Sequence, residues 1–155
     1  MFAIEISNRQ SLIAVDVERL HSAVAAVLEE EGIERAAINI ALVDDPTIHD
    51  LNRRFLNHDE PTDVLSFPLD DADGLEGDVI ASAETAARSA AEFGWPTADE
   101  LLLYVIHGTL HLIGYDDLEP TARSEMRRRE QHFLAMLGLQ AEHDEPLPAT
   151  ESRSK

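Results

Sequence analysis

The chain has 155 residues, 44% of them apolar and none of them cysteine. That length suits one compact domain with its own core, and the absence of cysteine excludes disulfides and thiolate metal centres. Thirty-one acids against twelve bases give a formal charge of −19, with Lys155 the only lysine, so most of the surface should repel nucleic acid and any RNA contact needs a local basic patch.

The bland reading of that charge is solubility or salt tolerance. The opening MFAIEISNRQ lacks the basic-then-apolar layout of a signal peptide, and the longest apolar run, Leu101 to Ile106, is too short to cross a membrane. The expectation is a cytoplasmic protein with no membrane partner.

Phe2 to Ile6 alternates and is β-rich, which predicts an opening strand. Val17, Leu20, Val24, Val27 and Leu28 follow helical spacing between a capping Asp16 and a stop at Gly32. Ile38, Ile40 and Leu42 alternate as a second strand. Asp45-Pro46 opens a short helix with Ile48, Leu51 and Phe55 inward. Thr62 to Leu69 reads as a third strand, which Pro68 pushes toward an edge or an end. Asp70 to Gly77 is acidic and loop-like, and Asp78 to Ala81 reads as a fourth strand. An alanine-rich helix follows to about Phe93. Thr97-Ala98-Asp99-Glu100 matches a capping box and starts a helix that is apolar on nearly every side as far as Leu110, so it must be buried. Gly114 ends it. A last helix, opened by Pro120, turns Met126, Phe133, Met136 and Leu137 inward and closes at Gly138. The fold class is α/β (α+β), a small mixed four-stranded sheet packed with about five helices. Residues 1–138 form the single domain, and 139–155 are a disordered polar tail.

The chemistry concentrates in His107-Gly108-Thr109-Leu110-His111-Leu112-Ile113-Gly114-Tyr115-Asp116-Asp117. Histidines four apart on a helix project from one face, close enough to share a metal ion. Such pairs also arise by chance. Here they interrupt an apolar helix, where an unpaired polar group is costly, and a glycine and an acid follow at the right remove. Gly114 lets the chain turn Asp117 back toward both imidazoles, with Asp116 the alternative. Three ligands leave a fourth position for water, the arrangement of a catalytic centre. The donor set suits one zinc ion per chain and does not exclude manganese, iron or nickel.

The spacing follows the long zincin motif, with the second ligand four residues on, the glycine seven on and the third ligand ten on. A metallopeptidase carries glutamate after the first histidine as its general base. Gly108 stands there instead, which argues against a protease and is read as leaving room beside the metal.

HGTLHLIGYDD closely resembles the signature of the YbeY family of bacterial metal-dependent endoribonucleases. Leu51-Asn52 with Phe55, Asp59 to Pro68, Gly77 to Ile80, Met126 and Glu130 extend the resemblance in the same order, from about Ile38 to Leu137. The resemblance implies a single α/β domain with zinc at the end of a buried helix. It implies cleavage of single-stranded RNA, maturation of 16S ribosomal RNA at its 3′ end and ribosome quality control. Small ribosomal subunit proteins and a ribosome-assembly GTPase are the partners it implies. Two positions depart from the pattern. Asp117 replaces the usual third histidine, and Leu56 stands where the family places an arginine suited to holding phosphate.

Arg53, Arg54 and His58 are the nearby substitutes for that arginine. Arg123, Arg127, Arg128 and Arg129 form the densest basic stretch, with Arg127 and Arg128 as candidate RNA contacts. The alternative is a solvated helix face paired with Glu125 and Glu130. Ser66 and Thr62 lack the setting of a nucleophile and read as strand residues, and Asp63 and Asp78 orient the site or cap loops. Two other classes remain open: a zinc hydrolase of a peptide or small molecule, and a non-catalytic ribosome-assembly factor.

Overall fold

The computed structural model describes residues 2–56, 64–69, 74–115 and 119–139. Alternating side chains form β1 (Phe2–Asn8), β2 (Ala36–Val43), β3 (Val64–Leu69) and β4 (Leu75–Ser82). They make one mixed sheet in the order β1-β2-β4-β3, parallel except for the antiparallel β3. Pro68 lies on an edge strand, where a residue without an N–H is best tolerated. The predicted loop from Asp70 to Gly77 runs too far. Leu75 already pairs with Ala36, and its N–H donates to the Arg35 carbonyl at 3.0 Å. A parallel neighbour draws Glu76 and Gly77 into the ladder although their composition reads as loop.

Five helices complete the fold: α1 (Val17–Glu30), α2 (Asp45–Leu56), α3 (Ala83–Phe93), α4 (Thr97–Ile113) and α5 (Pro120–Met136). Asp16 caps α1 by accepting from the Arg19 N–H at 3.1 Å. Leu20, Val24, Val27 and Leu28 from α1, Ile38, Ile40 and Leu42 from β2, and Leu101 to Ile106 from α4 share one large core. Across the sheet, Ile48 of α2 packs with Val43 and Leu65 in a smaller cluster. Thus α2 and α4 cover opposite faces.

The capping box at Thr97 does not form. Pro96 holds the cap position, and its carbonyl accepts from the Asp99 and Glu100 N–H groups at 3.0 and 3.2 Å. Glu100 instead accepts from the Trp95 indole at 2.7 Å, and Asp99 pairs with Arg19 of α1 at 2.6 Å. Met136 is 51% exposed rather than inward, because Phe133 and Leu134 take the core contact at that end of α5. Among the described residues no helix is long and apolar enough to cross a membrane. Residues 140–155, and with them most of the predicted tail, lie outside the described residues.

Candidate metal centre

α4 is buried from Asp99 to Leu110, and two glycines set how closely it lies on the sheet. A Cβ on Gly108 would sit 2.6 Å from Val79 Cγ1 and 3.2 Å from both Ser66 Oγ and Val64 Cγ2. A Cβ on Gly77 would meet Leu112 Cδ2 at 2.7 Å. Ser66 reinforces this seam by donating its hydroxyl to the Gly108 carbonyl at 3.1 Å, the strand role expected of it. Gly108 therefore admits the sheet and does not open room beside a metal. That expectation failed because the glycine faces β3 and β4, which spacing along one helix does not reveal.

His107 and His111 share another face of α4, their ring centroids 5.4 Å apart and their planes inclined at 69°. His107 is buried and His111 half-buried. Glu130 reaches in from α5 to pair with His107 Nδ1, and its carboxylate is itself buried. A carboxylate facing Nδ1 holds the proton on that nitrogen and places the lone pair on Nε2, the atom through which such a histidine could bind a metal. Two imidazoles on one helix face, one of them oriented by a buried carboxylate, fit a divalent metal that takes nitrogen and oxygen donors. Among the described residues no His, Asp or Glu completes a group of three. Asp116 and Asp117 lie outside the described residues, as does His58.

The chain leaves α4 through Gly114, whose φ of 128° favours a residue without a Cβ. Tyr115 then donates its hydroxyl to Glu31 at 2.9 Å. Burial, followed by the hydrogen bond to Glu31, raises the phenol above its ordinary pKa and keeps it a donor. Arg129 reaches the same carboxylate at 2.6 Å. Burial alone would lower the Arg129 pKa, and the hydrogen bond and charge of Glu31 outweigh it, so the guanidinium is held charged.

The candidate RNA contacts are scattered. Arg53 and Arg54 sit exposed on the last turn of α2, each paired with Asp50, at 2.6 and 3.3 Å. The hydrogen bonds from Arg53 and then Arg54 hold the Asp50 carboxyl below its usual range. Because α2 lies across the sheet from α4, these two arginines do not share a face with α5. Leu56 is the last residue of α2. On α5, Arg127 is half-buried and Arg128 exposed, the latter paired with Glu125. The predicted pairing of this helix face with Glu125 and Glu130 thus holds for Glu125 alone. Asp78 accepts from the Asn39 amide on the neighbouring strand at 3.2 Å. Thr62 and Asp63 lie outside the described residues.

Sequence reasoning placed Glu130 by family pattern but not at His107. The signal was present: Met126, Glu130 and Phe133 lie on one inward stripe of α5, and an acid in such a stripe needs a buried partner. Nothing local pointed to Glu31.

The family model described as "Endoribonuclease YbeY" matches residues 5–138. An "Endoribonuclease YbeY" from Rhodopirellula baltica is 44% identical over 124 residues, covering 78% of this chain and 64% of that protein. Another from Carboxydothermus hydrogenoformans is 43% identical over 141 residues, covering 88% of this chain and 98% of that one. The solution structure of a protein from Thermotoga maritima has a TM-score of 0.61 at 27% identity, covering 89% of this chain and 92% of the other.

Proposed function

Since this chain belongs to the YbeY family, we propose that it is a metal-dependent endoribonuclease that hydrolyses phosphodiester bonds in single-stranded RNA. Its substrate is ribosomal RNA, with action at the 3′ end of 16S and in ribosome quality control in the cytoplasm. Small ribosomal subunit proteins and a ribosome-assembly GTPase are the partners that go with that role. The observation that carries the reading is the pair His107 and His111 on one face of a buried helix, with Glu130 on His107 Nδ1.

His107, His111 and Asp117 would hold one zinc ion, or another divalent metal. Such an ion supplies Lewis acidity to a phosphoryl oxygen and makes water a nucleophile near neutral pH. The chain's own residues do the rest. Glu130 keeps the His107 proton on Nδ1 and fixes the ring plane. Arg127 and Arg128 offer guanidinium groups to backbone phosphates on α5. Arg53 and Arg54 do the same on α2, with His58 beside them in sequence, by exchanging Asp50 for phosphate. Asp117 brings a negative charge where a histidine would be neutral, so the metal is a weaker electrophile than with three imidazoles. Peptide hydrolysis fits less well, because position 108 lies against Val79 and has no room for a glutamate base.

The test is cleavage of a short single-stranded RNA by zinc-loaded protein, beside His111→Ala purified identically. Wild-type cutting and a loss in the variant on the order of a thousandfold are expected, since one of three ligands is removed. Equal cutting by both would sink the reading.

A further inference from the structure

α1 ends against its own electrostatics. Glu29, Glu30 and Glu31 stand at its C-terminus, and its last turn carries no basic residue, although the helix dipole disfavours negative charge there. Glu31 in particular is drawn inward, with only 11% of its side chain exposed. A local rule broken at a shielded position points to a contact elsewhere in the fold.

That contact joins three segments. Glu31 Oε1 accepts the Tyr115 hydroxyl at 2.9 Å, and Oε2 accepts from Arg129 Nε at 2.8 Å, with Nη2 at 2.6 Å. The Arg129 guanidinium also lies over the Phe133 ring, 5.0 Å from its centroid. Both partners of Glu31 lead into the metal centre. Tyr115 is the first residue past the Gly114 turn and stands two residues before Asp117 in sequence. Arg129 directly precedes Glu130, whose carboxylate holds His107.

We propose that Glu31 is a positioning residue of the metal centre. Through Tyr115 it holds the Gly114 turn at the end of α4, and through Arg129 it fixes the stretch of α5 that presents Glu130 to His107. This role rests on His107, His111 and Asp117 being the ligands. Holding His107 and the end of α4 in place before a metal arrives removes that ordering cost from the binding step, which raises affinity. Glu31 touches neither metal nor substrate in this scheme and acts only through the residues it holds.

The experiment measures zinc affinity of the full chain by competition with a chromogenic chelator, and the Tm of each metal-free protein. Tyr115→Phe removes one hydroxyl, and Glu31→Gln removes the charge while keeping shape. Both are expected to bind zinc about tenfold more weakly or worse, the usual effect of losing an outer support. Arg19→Ala, which deletes the α1–α4 ion pair to Asp99, is expected to keep wild-type affinity. Wild-type affinity in both Tyr115→Phe and Glu31→Gln overturns the proposal. So does an equal loss in Arg19→Ala, which would make the effect one of general stability. His111→Ala separates the two layers. If it binds zinc like the wild type, the ligand assignment itself fails. If it alone loses zinc, only the positioning role of Glu31 fails.

Discussion

The two ends of α4 bury polar side chains against the same neighbouring helix, yet they do so differently. At the N-terminal end, Glu100 closes on Trp95, five residues away, and Asp99 on Arg19 near the start of α1. At the C-terminal end, Tyr115 meets Glu31 at the finish of α1, and His107 meets Glu130 of α5. The two clasps show that α1 and α4 run side by side in the same direction. The first end spends its polar groups on neighbours that anchor the start of a helix. The second holds His107 through a carboxylate from α5 and Tyr115 through one from the end of α1, two segments far apart in sequence. One helix thus has an end closed by Trp95 and the start of α1, and an end tied to α5 and the finish of α1.

Three substitutions test that contrast. Glu130→Gln keeps the volume and removes the charge that holds the His107 proton on Nδ1. Metal affinity should fall about 10- to 100-fold, with Tm of the metal-free protein nearly unchanged. Unaltered affinity in a chelator competition would erase the distinction between the ends. Gly108→Ala lies between them and forces a Cβ against Val79. Calorimetry should show about 1–3 kcal/mol of destabilisation from overpacking, roughly a 2–12 °C drop in Tm. A neutral result would mean that α4 shifts freely on the sheet, and the close seam would lose its meaning. Arg19→Ala probes the closed end. Its ion pair is partly solvated, with side chains 32% and 13% exposed, so the loss should be about 1 kcal/mol or less. A change in metal affinity larger than its change in stability would show that the two ends are coupled.

Much of this molecule was legible without coordinates. β1, α1 and β2 follow from side-chain periodicity, Gly114 and Pro120 mark helix boundaries as expected, and Pro68 sits on an edge strand. The misreadings share a cause. Leu75 to Gly77 reads as loop until β2 offers it a parallel ladder. Thr97 reads as a cap until Pro96 takes that position, and Gly108 reads as open space until β4 lies against it.

The spacing of His107 and His111 by itself determined the candidate centre, because a helical repeat of 3.6 residues puts positions four apart on one face wherever the helix is placed. Periodicity likewise determined which residues face a core, since it is a property of the chain alone. Only the tertiary structure decided that Glu130 pairs with His107 and that Glu31 joins Tyr115 to Arg129. Glu31 is 84 residues from Tyr115 and 98 from Arg129 in sequence, and no spacing rule reaches that far. Such partners meet because packing α1 and α5 against α4 brings their carboxylates there, and that packing is a property of the whole fold.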